Sequence, residues 1–116
     1  VGVSLEKIEK WEKKKKAKKL MRVVSSENKA EIRARAIRAL AGITDYDIIN
    51  QLVNFVRDPE FDVRLAAIET LGKIGSARAM EFIRAVLEKE SDPAIVEAAK
   101  SALASIREKI NKDEIA

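Results

Sequence analysis

The feature that most constrains this chain is internal repetition. Residues 31–43 slide forward by 31 positions onto residues 62–74. Arg33 then meets Arg64, Ala36 meets Ala67, Ile37 meets Ile68, Leu40 meets Leu71 and Ile43 meets Ile74, with Ile32 against Val63. A further step of 32 places Ile95, Ala99, Leu103 and Ile106 under Val63, Ala67, Leu71 and Ile74. The apolar positions advance by three and four, which is helical spacing and not strand alternation. A second set repeats as well: Ile49, Leu52, Phe55 and Val56 precede Met80, Ile83, Val86 and Leu87 by 31, and Leu20, Met21, Val23 and Val24 form an earlier copy. Each unit therefore reads as helix A, a turn, helix B and a second turn. One such pair cannot bury its own apolar face, so units of this kind come stacked, with about three needed for stability.

The spacing predicts helices over 4–24, with a break near 14–16, and over 30–42, 45–57, 59–73, 76–89 and 92–110. The chain divides as a basic N-terminal helix or helix pair (1–24), repeats at 30–57 and 59–89, a terminal half-repeat or cap at 92–110, and a frayed tail at 111–116. All belong to a single domain, 1–116. The punctuation agrees. Asp58-Pro59 and Asp92-Pro93 place an N-cap before a proline at the first helical position. Thr44 and Asp47 resemble a capping box. Gly75-Ser76 reads as a helix stop followed by a start.

Composition supports an all-α fold. Hydrophobic residues make up 47% and charged residues 36%, which suits helices with one apolar stripe and one wet face. Four Gly and two Pro leave little turn chemistry for a β fold. Seventeen Ala let helices approach closely. The absence of Cys excludes disulfides and thiolate metal sites, and the absence of His removes the usual general base near neutral pH. No metal and no cofactor are expected. No apolar run reaches a membrane span and no signal-peptide pattern stands at the start, so the expected location is cytoplasmic. The richness in Lys, Glu and Arg resembles the bias of thermophile proteins.

The net charge of +4 is uneven. Residues 1–24 carry nine Lys/Arg and three Glu, a net of +6, and the remainder carries a net of −2. The basic character belongs to the N-terminal segment, which limits any inference of nucleic-acid binding to that segment.

The stretch from Asp58-Pro59-Glu60-Phe61-Asp62-Val63-Arg64 through Leu71-Gly72-Lys73-Ile74-Gly75 resembles the core of a HEAT repeat, of the short type found in phycobilisome lyases. The resemblance covers about residues 17–106. It implies a short α-solenoid, an alpha-alpha superhelix of helical hairpins, with B helices on its concave side. It also implies that Arg33 and Arg64 sit in a polar ladder with an acidic or turn residue. The last copy departs, with Val96 at the arginine position and Ala104 at the glycine position. HEAT-like hydroxylases need His, which this chain lacks, while the related bilin lyases and alkylpurine glycosylases are longer.

Function then rests on surfaces. Through the resemblance, the concave side should present Arg22, Asn50, Asn54, Arg57, Glu81, Arg84 and Glu88, mixed in sign and without an aromatic platform. That is a poor match to nucleic acid and a plausible face for a protein partner, with Arg57 and Arg84 as candidate hot spots. The expected role is a non-catalytic scaffold or adaptor that binds another protein, of unstated identity. The alternative is a polyanion site, for nucleic acid or, less favoured, an anionic membrane, built from Lys13, Lys14, Lys15, Lys16, Lys18 and Lys19 beside Trp11. With Leu5 and Ile8, Trp11 suits either an amphipathic membrane helix or packing on the first repeat, and the latter is the plainer reading. Two S-x-x-K matches, at Ser4–Lys7 and Ser26–Lys29, lack the companion motifs of acylating enzymes. Ser26 reads instead as a helix cap. Asp45 and Asp47 read as capping residues and not as a cation site.

Overall fold

The computed structural model describes residues 2–43 and 45–115, and among them the only regular structure is helical. The elements are α1 (Leu5–Lys13), α2 (Ala17–Val24), α3 (Ala30–Arg38), α4 (Tyr46–Leu52), α5 (Phe61–Ile74), α6 (Met80–Lys89) and α7 (Pro93–Ile115). A 3-10 turn, Val53–Arg57, extends α4, and another, Ala77–Ala79, leads into α6.

The odd-numbered helices form one row: α1 leans on α3, α3 packs on α5, and α5 packs on α7. The even-numbered helices lie behind them, with α2 on α3, the 3-10 end of α4 on α5, and α6 on α7. The molecule measures 44 × 36 × 19 Å. Its shortest dimension is about two helix diameters, as a two-layer solenoid requires. The repeating apolar positions supply the core. Ile37, Leu40, Ile68, Leu71, Ile95 and Ile106 from the front row interlock with Leu20, Val24, Leu52, Val56 and Ile83 from the back, all fully buried.

Local chemistry sets the ends. Asp45 caps α4, its carboxylate accepting from the N–H groups of Asp47 at 2.7 Å and Ile48 at 3.3 Å. Asp92 accepts from Ala94 N–H at 2.9 Å, and Pro93 opens α7. Gly75 ends α5 at φ 74°, a left-handed conformation that glycine adopts without strain. The Thr44 half of the expected capping box lies outside the described residues.

Three boundaries differ from expectation. The helix expected over 30–42 gives way after Arg38 to tight i→i+3 turns, in which Leu40 N–H donates to Ile37 and Ile43 N–H to Leu40. The helix expected from Pro59 begins at Phe61, because Asp58 accepts from Glu60 N–H at 3.0 Å in a local turn and is committed elsewhere. The tail expected to fray is helical through Ile115. No breaker follows Ile110, and Glu108 pairs with Lys112 at 3.1 Å on the i,i+4 spacing that supports a helix surface.

Candidate functional site

Arg33 and Arg64 hold equivalent positions in the first turns of α3 and α5, and the structure uses both inside the fold. Arg33 clamps Asp58 with two nitrogens, at 2.7 and 3.3 Å, while its Nε donates to the Val24 carbonyl at 2.8 Å. It therefore ties the end of α2 to the turn that follows α4. Arg64 does the same one repeat later. Its guanidinium donates to the carbonyls of Asp58 and Pro59 at 3.2 and 3.1 Å. Its Nε lies 3.1 Å from Glu90, although the N–H does not point at that carboxylate. Each cation also lies near an aromatic ring, Arg33 by Phe55 and Arg64 by Phe61. Burial alone would raise the pKa of Asp58. The hydrogen bond from Arg33, the N–H of Glu60 and the charges of Arg33 and Arg64 outweigh it, and hold the carboxyl below the usual Asp value.

Asp58 and Glu90 were not legible as ladder partners from helix-capping rules alone. The signal was a spacing: each carboxylate follows its arginine by 25 or 26 residues, the length of one repeat less a few positions. Where Val96 replaces the arginine, α7 instead reaches back through Lys109, whose ammonium donates to the Ile74 carbonyl at 2.9 Å and covers the end of α5.

The outward side of the even-numbered helices is where the predicted partner-binding residues fall. Arg22, Asn50, Asn54, Arg57, Glu81, Arg84 and Glu88 are all exposed. Local contacts engage several of them. Arg84 is paired with Glu81 at 3.3 Å. Asn50 accepts a hydrogen bond from Arg78 and, through its carbonyl, one from Asn54 at 3.5 Å. Arg57 borders a separate groove with Pro59, Ala85 and Lys89, between the end of the 3-10 turn and α6. Arg84 precedes Ala85 on α6, about 100° away around the helix. Phe82, also on α6, is exposed, a hydrophobic side chain that the repeat pattern did not single out.

The lysine run is broken as expected. Lys13 ends α1, Lys14 caps it, Lys15 takes φ 53°, and Lys16 precedes α2. The N–H of Lys16 donates to the Trp11 carbonyl and that of Lys15 to the Glu12 carbonyl, the paired bonds of a Schellman turn. Lys13, Lys14, Lys15, Lys16, Lys18 and Lys19 are thereby gathered at one hairpin turn, all exposed. Of the upstream apolar residues, Ile8 is fully buried, Trp11 is half-buried and Leu5 is exposed. Packing thus consumes Ile8 and Trp11, and Leu5 departs from that reading by opening to solvent beside Arg35 and Arg38.

The two S-x-x-K matches resolve into local structure. Ser4 caps α1 by accepting from Lys7 N–H at 3.1 Å. Ser26 donates to the Val23 carbonyl at 2.6 Å, capping the C-terminal end of α2. Among the described residues, no group of carboxylates is arranged to hold a metal ion, and no helix is long and apolar enough to cross a membrane.

Helical hairpins stacked in two rows and tied by an interior arginine ladder define a short α-solenoid of repeats. The family model of HEAT repeats matches residues 17–104, and the chain belongs to that family. HEAT repeats commonly mediate protein interactions and are generally non-enzymatic. A search of the curated proteins found no match.

Proposed function

We propose that this protein is a non-catalytic scaffold or adaptor that binds another protein through the exposed face of α2, α4 and α6, the B helices of the expected concave side. The observation that carries this reading is the division of labour among the arginines. Arg33 and Arg64 are taken up in the ladder, whereas Arg22, Arg57 and Arg84 stand exposed on the even-numbered helices. Exposed Arg side chains and an exposed Phe82 on these helices are residue types enriched at interfaces. The mixed signs of Glu81, Arg84 and Glu88 suit a partner with polar contacts of both kinds.

The test is the double variant Arg57→Glu and Arg84→Glu. Both positions are solvent-exposed, so the melting temperature should hold within a stability change of about 0.5 kcal/mol. Capture of the partner that the native chain retains from extract should be lost. Capture at full yield by the folded variant would eliminate this face.

A second reading draws on the gathered lysines. Six ammonium groups at one turn provide a handle for a polyanion, whose binding would weaken steeply with salt.

A further inference from the structure

The N-terminal end holds a groove that shares Arg22 with the first reading and Lys19 with the second. A groove of about 260 Å³ runs between α1 and α2, lined by Val3, Trp11, Lys19, Arg22, Val23, Ser26 and Asn28. Its floor is apolar, made by Val3, the half-buried indole of Trp11 and the aliphatic Val23. Its polar wall is already satisfied: Val3 N–H donates to Asn28 Oδ1 at 3.2 Å, and Asn28 Nδ2 donates to Ser26 Oγ at 2.6 Å. Its rim is cationic. The ammonium groups of Lys7 and Lys19 lie 5.6 and 5.7 Å from the centroid of the Trp11 ring, and Arg22 stands beside them. None of these three cations forms an ion pair among the described residues. Of the nearby carboxylates, Glu12 is engaged with Arg35 at 2.6 Å and Glu9 with Lys13 at 3.5 Å, while Glu6 and Glu27 are exposed and leave the rim, with Lys7, Lys18, Lys19 and Arg22, net positive.

An apolar groove rimmed by net positive charge selects its occupant by complementarity. The geometry points to an acidic peptide segment of a partner protein, seated here by one large apolar side chain and flanked by carboxylates. The slot has room for a Leu or Phe side chain, and its pre-bonded wall needs no rearrangement to receive one. Nucleic acid fits less well, because Trp11 is the only aromatic residue lining the groove, whereas single-strand binding stacks successive bases on several such rings. A bilayer fits less well because Ile8 is fully buried and Leu5 opens on another side of the molecule, leaving α1 no apolar face to insert. This surface shares Arg22 with the face of the first reading but not Arg57 or Arg84, so a variant at those two arginines separates the two proposals.

The experiment selects random phage-displayed peptides on the intact protein. Enriched sequences should carry a single Leu, Phe or Trp among Asp and Glu. A synthetic copy should shift the emission of Trp11, the only Trp, in a saturable way that weakens with salt. Replacing its apolar anchor by Ala should weaken binding about tenfold or more. The variant Lys7→Glu with Lys19→Glu, at exposed positions, should weaken it to a similar degree with an unchanged melting temperature. The Arg57→Glu and Arg84→Glu variant should bind the peptide normally. Enrichment without acidic residues, equal binding of the Ala copy, or full binding by the lysine variant would each overturn the assignment. So would a stronger Trp11 response to single-stranded DNA or to phosphatidylserine vesicles than to the peptide.

Discussion

At the scale of single residues, the most consequential contact is the fork between Arg33 and Asp58. Both side chains are largely withdrawn from water, at 14% and 8% exposure. A charge left alone in such a place is costly, while the matched pair is close to neutral against an apolar substitute. Asp58 therefore acts less as a source of stability than as a lock on where the turn after α4 sits. Asp58→Asn should cost about 2–3 kcal/mol, because it strands the Arg33 guanidinium. The cost should depend on pH in a defined direction. The carboxyl's folded-state pKa is depressed, so its contribution is complete above the unfolded value of about 3.9 and is lost as pH falls through the folded value. Urea melts of both proteins at pH 7 and at pH 3 should show the gap between them narrowing in acid. A gap of equal size at both pH values would mean that the ion pair does not supply the difference.

At the scale of elements, the junction of α1 and α2 shows a local conflict. The Schellman turn requires a left-handed residue, and the chain supplies Lys15 at φ 53° where glycine is the usual choice. The side chain gains from the negative end of the α1 dipole, but its backbone pays in steric crowding. Lys15→Gly should stabilise the protein by roughly 0.5–1 kcal/mol, and Lys15→Val should destabilise it, by thermal melts of each. If glycine were destabilising, the turn would be held by the lysine side chain. The contact between α5 and α7 shows the opposite situation, in which the sequence fits the geometry. A Cβ on Gly72 would fall 2.9 Å from both Cα and Cβ of Ala102, so two small residues allow these helices to approach to backbone contact.

At the scale of the whole molecule, stability is shared between neighbours. The helix α5 is covered by α3 on one side and by α7 on the other. The helix α7 brings Ile95, Leu103 and Ile106 to the core, each worth about 1.5–3 kcal/mol when buried. Its outward positions Lys100, Arg107 and Glu108 are exposed and polar, as suits a helix that covers a stack. A chain ending at Glu90 should lose more than about 5 kcal/mol, which is comparable to the whole stability of a small domain. It should show little cooperative melting by circular dichroism. A cooperative transition near the native temperature would show that the three hairpins before α7 carry the fold alone.

The all-helical fold, the order of hairpins and nearly all of the core were legible in the sequence. A period of three and four is a property of one helix burying one face, and a period of 31 is a property of identical hairpins stacking. Both are written along the chain itself, as Ile37, Ile68 and their repeats show. The break in the lysine run was legible for the same local reason. What only the tertiary structure decided are the meetings of residues far apart in sequence. Asp58 read as a helix cap until the fold set it against Arg33, 25 residues away. The N-terminal groove joins Val3, Trp11, Lys19 and Asn28 from four segments, and no spacing in a single segment encodes it. Local burial repeats and so can be read off the chain, whereas a site on the surface of a stack depends on how the hairpins are turned against one another.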